Sequence, residues 1–348
     1  MTTSPRKNED QGRSFLPVIG AFILIALGVI WLLFEAKILS GANLEVLFRL
    51  WPVVLIACGL ELLIGRRSRT ISLGIGLGPI VLLLALMVVG PTLGLAPTVD
   101  IKTAQYSEPV GGATAAQVTL GLSVGTTTVQ AASDSTQLIN ADLRYVGDVD
   151  FNVTQSGSEK VVALTSKNDS VQTFSFFGLW QNNNDDANRL RWNIGLSPNV
   201  PLDLHLSGGV GGSTLDLSGL QISGLSYKGG VGDTTVSLPG RGSYDVDFNG
   251  GVGKLGVNFA DGAGVNAIVD AGVGGITLDI PDDAPVHLEA KGGLGDVHVP
   301  ANFTQVSGDQ ASGLGRNGVW ESANYQSASD SERITIQFNG GVGSLTVK

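Results

Sequence analysis

The sequence predicts a chain of two classes: an α-helical membrane part with three transmembrane helices, then an all-β, single-stack, two-sheet β-solenoid with 21-residue coils. Three observations carry this. Long apolar runs fill the first hundred residues, glycine tetrapeptides recur every 21 residues from Gly208, and between them apolar and polar residues alternate with period two. Composition changes sharply near Pro97, and 348 residues leave room for both parts.

Residues 1–14 read as a cytoplasmic tail and 15–96 as a transmembrane region with spans at about 15–34, 47–65 and 71–96. The first, Phe15 to Phe34, is uncharged for twenty residues, about the number needed to cross a ~30 Å hydrocarbon layer. A signal peptide competes with this reading. The run is too long for its apolar core, however, and no small-x-small cleavage site follows. In the second, Trp51 and Pro52 open the helix and Glu61 lies close to Arg66 and Arg67, which reads as a charge at the helix end; an intramembrane ion site is the other reading. The third, Ile71 to Ala96, is long and apolar. Arg6, Lys7 and Arg13 before the first span, and Arg66, Arg67 and Arg69 before the third, favour the cytoplasm. Three crossings then place residues 100–348 outside it. A re-entrant second segment would reverse that. With about fourteen residues ahead of the first helix, no cytoplasmic output domain is expected there, and a signal would pass laterally through the spans.

The stretch GAFILIALGVIWLLFEAKIL (Gly20 to Leu39) followed by LFRLWPVVLIACGLELLIG (Leu47 to Gly65) resembles the paired-helix membrane unit of LiaI/LiaF-like bacterial envelope-stress proteins. The resemblance implies a multi-pass protein of the bacterial cell membrane and a membrane partner, typically a sensor kinase held in check.

Residues 97–110 read as a linker and 111–200 as an N-terminal β cap and meander. Val118 to Val129 fits the repeat template as a degenerate coil with Val124-Gly125 as its corner, and residues 138–165 read as a small meander around Tyr145, Phe151 and Val162. The solenoid proper is expected over 201–348, with an insertion at about 301–331. Its tetrapeptides begin at Gly208, Gly229, Gly250, Ala271 and Gly292, and a sixth begins at Gly340, one period plus 27 residues later. The corner glycines are Gly209, Gly211, Gly230, Gly232, Gly251, Gly253, Gly272, Gly274, Gly293, Gly295, Gly341 and Gly343. A chain reversing within two or three residues needs positive φ or a backbone approach that a Cβ would block. Inward positions should stack from coil to coil, as in Leu215, Val236, Val257 and Leu278. A second turn per coil falls at Pro239-Gly240-Arg241-Gly242, Asp261-Gly262-Ala263-Gly264 and Pro281 to Pro285.

The phrase WNIGLSPNVPLDLHLSGGVGGSTLDLSGLQISGLSYKGGVGD (Trp192 to Asp233), with the closing VWESANYQSASDSERITIQFNGGVGSLTVK, resembles the toast-rack domains that accompany LiaF-like membrane regions. That resemblance extends over most of residues 110–348 and points to the same envelope-stress regulators.

Chemistry is sparse. Cys58 stands alone in an apolar segment, so neither an internal disulfide nor a cysteine metal site can form. Calcium-binding β-roll repeats recur every nine residues with an aspartate in sixth place, where this chain has Ser213, Thr234, Leu255 and Ile276; the corners read as structural. His205, His287 and His298 fall on outward positions without the convergence a metal requires. No nucleophile elbow, P-loop or paired-carboxylate signature stands out, so neither enzyme activity nor a cofactor is expected. Residues 100–348 hold thirteen Lys+Arg against twenty-six Asp+Glu, a net charge near −13 that disfavours nucleic acid as a partner. Homo-oligomerisation is left open. Phe174, Phe176, Phe177 and Trp180, followed by a very polar loop, either cap an open solenoid end or form a partner contact patch, and Trp320 and Tyr325 in the insertion pose the same choice. The leading expectation is a non-enzymatic, membrane-anchored envelope regulator or sensor, with an extracytoplasmic scaffold or adhesin as the alternative.

Overall fold

The computed structural model describes residues 101–167, 190–308, 315 and 317–348, with seven single positions before residue 100. Those seven positions apart, the three expected spans lie outside the described residues, as does the Phe174, Phe176, Phe177 and Trp180 cluster. Among the described residues no helix is long and apolar enough to cross a membrane. The strands below all fall within one compact unit, residues 99–172 and 183–348.

That unit is built from β1 (Ile101–Pro109), β2 (Ala115–Gly121), β3 (Thr126–Ala131), β4 (Gln137–Val146), β5 (Asp148–Ser156), β6 (Glu159–Lys167) and β7 (Arg191–Leu196). The repeats follow as β8 (Pro201–Ser207), β9 (Ser213–Asp216), β10 (Gln221–Lys228), β11 (Thr234–Ser237), β12 (Ser243–Asn249), β13 (Leu255–Asn258), β14 (Gly264–Asp270) and β15 (Ile276–Asp279). The chain closes with β16 (Val286–Lys291), β17 (Val297–His298), β18 (Phe303–Gly308), β19 (Gly318–Ser322), β20 (Ile334–Asn339) and β21 (Leu345–Val347). Two sheets result. Sheet A runs β1-β4-β7-β3-β9-β11-β13-β15-β21-β17, and sheet B runs β5-β6-β2-β8-β10-β12-β14-β20-β16-β19-β18.

Each coil places its longer strand in sheet B and its shorter one in sheet A, joined across a glycine corner, and successive coils pair in parallel. The alternation in sequence becomes alternation in burial: in β12, Tyr244, Val246 and Phe248 are buried between exposed Ser243, Asp245, Asp247 and Asn249. Registers put equivalent residues beside one another, Leu215 with Val236, Val236 with Val257, Val257 with Leu278 and Leu278 with Val347. These residues form one core between the sheets. Each fully buried Val or Leu contributes roughly 1.5–3 kcal/mol relative to exposure. Two tyrosine hydroxyls that enter the core find partners there: Tyr227 Oη lies 2.8 Å from Thr234 Oγ1, and the buried Tyr244 hydroxyl donates to the Pro239 carbonyl at 2.6 Å.

Corner glycines meet the requirement that the spacing implies. A Cβ on Gly251 would overlap the Gly230 carbonyl of the coil before, and the same overlap recurs at Gly230, Gly272, Gly293 and Gly341. Gly253 supplies the reversal itself at φ 136°.

Two expectations need correction. Residues 138–165 are no single meander: β4 pairs antiparallel with β1 and β7 in sheet A, whereas β5 and β6 lie in sheet B. Gly147, at φ 89°, sits where the chain crosses from one sheet to the other. Coil order also departs from chain order. Strand β20 lies between β14 and β16, and β21 lies between β15 and β17, so the last coil of the chain is wedged between the two that precede it. The same happens at the other end, where the β6/β7 coil lies outside the β2/β3 coil. The insertion supplies β18 and β19, an antiparallel hairpin on the edge of β16.

Candidate functional site

Parallel coils in register carry their outward side chains into rows. On the outer face of sheet B, one row runs Asp203, Gly224, Asp245, Asn266, Thr335, His287 and Glu321. Beside it runs a second, His205, Ser226, Asp247, Ile268, Gln337, Glu289 and Val319. Neighbours within a row stand ~4.8 Å apart, the spacing of strands.

The rows are not flat. Gly224 has no side chain, and the register slips at Ile222/Gly224, so Asp203 leans over the gap; a Cβ on Gly224 would stand 3.0 Å from Asp203 Oδ1. The result is a groove of about 540 Å³ lined by Asp203, Ser226, Asp245, Asp247, Asn266, Ile268, Thr335 and Gln337. Three carboxylates give it negative charge. Asn266 Nδ2 donates to Asp245 Oδ1 at 2.9 Å, and His205 Nε2 stands 3.2 Å from Asp203 Oδ2, which fixes how these acceptors are presented. Such a surface accepts hydrogen bonds from hydroxyl-rich or cationic chains, with Ile268, 43% exposed, as its apolar contact.

The expected site residues are distributed as follows. Trp320 is 3% exposed and belongs to the core, opposite Leu288 on β16, so its side chain closes the solenoid end and is not offered to a partner. Tyr325 stacks against His287 with centroids 5.3 Å apart and carries the Arg333 guanidinium over its ring. His205 and His287 lie five coils apart in the rows, and His298 is on sheet A. Among the described residues no group of three His, Cys, Asp or Glu could hold a metal ion. At the far end of the first row, hydrogen bonds from Gln326 Nε2 and from His287 Nδ1, each at 2.9 Å, hold the Glu321 carboxyl below the usual carboxylate range.

Sequence reasoning missed two features. Gly224 falls outside the tetrapeptide series, so nothing marked the groove it opens. The valine of each tetrapeptide was passed over as part of the corner. Val231, Val252, Val273 and Val342 are 50–52% exposed, Leu294 is 69% exposed, and parallel bridges align them with Val124 and Val210 into a continuous apolar ridge.

Residues 97–258 match the family model described as the N-terminal domain of toast_rack, DUF2154. Among solved structures, a "putative cell adhesion protein" from Clostridium sporogenes is similar at 17% identity and a TM-score of 0.41, covering 72% of this chain and 99% of that one. A "putative adhesin" from Bacteroides fragilis is similar at 14% identity and a TM-score of 0.28, covering 71% of this chain and 97% of that one. No curated protein matches. The glycine-cornered two-sheet repeat and the family match together support a toast-rack β-solenoid.

Proposed function

We propose that the chain is a non-enzymatic cell-envelope scaffold, held in the membrane by residues 15–96, whose solenoid binds an envelope macromolecule along the outer face of sheet B. The groove formed over Gly224 between Asp203, Asp245 and Asp247 carries this reading. Its acceptors repeat at a fixed interval, which suits an extended polymer of hydroxyl or amine donors better than a compact substrate. An acidic domain of this charge also avoids anionic headgroups and phosphate chains, leaving the groove to neutral or cationic partners.

The resemblance of Gly20 to Gly65 to LiaI/LiaF-like membrane units supports a finer form, in which polymer binding outside the cytoplasm is relayed through the spans to a membrane partner such as a sensor kinase. The test uses the full chain in detergent micelles, mixed with purified cell-wall polymer and sedimented. Retention is expected to fall about tenfold in the Asp245→Asn/Asp247→Asn double variant, whose fold is untouched because both positions face solvent. Equal retention of both proteins, or none of either, sinks the groove assignment. Protease digestion of intact cells should cut the β-domain; protection until lysis would place it in the cytoplasm and remove the envelope role.

A further inference from the structure

The ridge at the glycine corners is unlike every other outward row. On the outer face of sheet A the solvated row reads Thr128, Thr214, Thr235, Gly256, Thr277 and Thr346. Threonine is the β-branched choice where the repeat meets water. At the corner the same chain places valine coil after coil, and leucine once, and five successive positions, Val231, Val252, Val273, Val342 and Leu294, are half exposed or more. Strand propensity explains a β-branched residue at either row, because Val and Thr share that shape. It does not explain the apolar one. A ridge left in water gains nothing from valine over threonine, so the ridge is built to be covered.

We infer that its occupant is a second copy of this chain, related by a twofold axis parallel to the solenoid stack. Shape is the first argument. Each ridge stands between two glycine rows, one containing Gly230, Gly251 and Gly272 and the other Gly232, Gly253 and Gly274, so it is a raised line flanked by two troughs of bare backbone. Such a profile fits a copy of itself, ridge into trough, as a twofold interface demands.

Charge is the second. Lys228 ends β10 on the sheet B rim and Asp233 precedes β11 on the sheet A rim of the same coil; Lys291 and Asp296 hold the equivalent places four coils further along. All four are exposed. An axis along the stack brings the B rim of one copy against the A rim of the other at the same coil. Lys228 then faces Asp233 of the other copy, and Lys291 faces Asp296. Antiparallel copies centred on Val252, the middle of the ridge, bring like rims together: Lys228 then faces Asp270, but Asp233, Lys291 and Asp296 fall opposite Gly275, Gly121 and Thr126 and meet no opposite charge across the interface. Exposed pairs add little affinity but set register and orientation. The parallel arrangement also places both copies of β1, where the chain enters the domain at the end of sheet A, at the same end of the pair. Two chains entering from one membrane need that.

A strip about 29 Å long, from six coil spacings of ~4.8 Å, is narrow beside the ~800 Å² per partner of a stable interface. The pair is therefore weak in solution and relies on confinement in one membrane to raise its effective concentration. Cross-linking of the full chain in membranes is the suitable test. In a Cys58→Ser background, Val231→Cys, Val252→Cys and Val273→Cys are each expected to form a disulfide-linked dimer on mild oxidation, while Thr277→Cys on sheet A is not. Dimers from Val252→Cys alone and from mixed Val231→Cys and Val273→Cys chains, with none from Val231→Cys or Val273→Cys by themselves, would mean antiparallel copies and overturn the proposal, as would monomer in every variant. The Val231→Thr/Val252→Thr/Val273→Thr variant keeps the β-branch and should keep its thermal transition while losing most of the dimer, read by chemical cross-linking. Lys228→Glu should reduce cross-linking at residue 231, and adding Asp233→Lys should restore it. The groove on sheet B takes no part in these readouts, so polymer binding can fail while the dimer stands, and the reverse.

Discussion

Single glycines in this fold have very different duties, which the contacts around each one separate. Gly251 lies where its coil touches the next, and an alanine Cβ would run into the Gly230 carbonyl, an atom of the backbone that cannot step aside. Gly256 lies in mid-strand on the outer face, with its nearest neighbours, Thr234 O and Thr235 Oγ1, at 3.9 Å and no positive φ. Gly251→Ala is expected to destabilise the domain by about 3 kcal/mol or more, and Gly256→Ala to stabilise it by roughly 0.5–1 kcal/mol through reduced freedom of the unfolded chain. Thermal denaturation of the two variants side by side checks both signs. The corner glycines were legible in the sequence because five tetrapeptides in succession keep a spacing of 21 residues. Neither Gly224 nor the exposed valines were: the glycine belongs to no series, and a valine in a β-rich repeat looks like core until its outward direction is known.

At the level of elements, strand parity was the most readable quantity, since period-two alternation states which side chains turn inward. It does not state which sheet a strand joins. Strands β4 and β5 are separated by Gly147 alone, and that one residue carries the chain from sheet A to sheet B. The β18–β19 hairpin has its own weak point. Glu321 on β19 accepts from Gln326 and from His287, and its carboxyl sits below the ordinary value near 4.5 on account of those bonds, Gln326 first. A depressed folded-state pKa means that the stabilisation is fully present above the unfolded value and disappears as pH falls through the folded one. Acidification below about pH 4 should therefore loosen the hairpin, seen as a shift of Trp320 fluorescence, while Glu321→Gln should show no transition in that range. An unchanged acid curve in the variant would assign the transition to other carboxyls.

For the whole molecule, the repeat predicted a stack but could not predict its order, because coils in the same phase are interchangeable templates. Residues 286–298 follow 265–279 by one period of 21, so β16 and β17 could lie directly on β14 and β15; instead β20 and β21 occupy that place. A chain ending at Ser331 is expected to remain folded with β16 moved up by one position. Spin labels on Asn266 and His287 would then report a backbone separation falling from two strand spacings, ~9.6 Å, to one, ~4.8 Å. No change of separation would show that the β18–β19 hairpin, and not the wedged coil, fixes where β16 lies.

The doubling back at both ends bears on what such a repeat protein can become. A solenoid whose first and last coils lie at its extremities can accept further units there, or join head to tail into a filament. Here the earliest and the latest coils of the chain are each enclosed by another, and both extremities of sheet B are the outer strands of antiparallel hairpins. Growth by fibre formation is shut off, and a gene that gained an extra repeat would have to accommodate it in the middle of the stack.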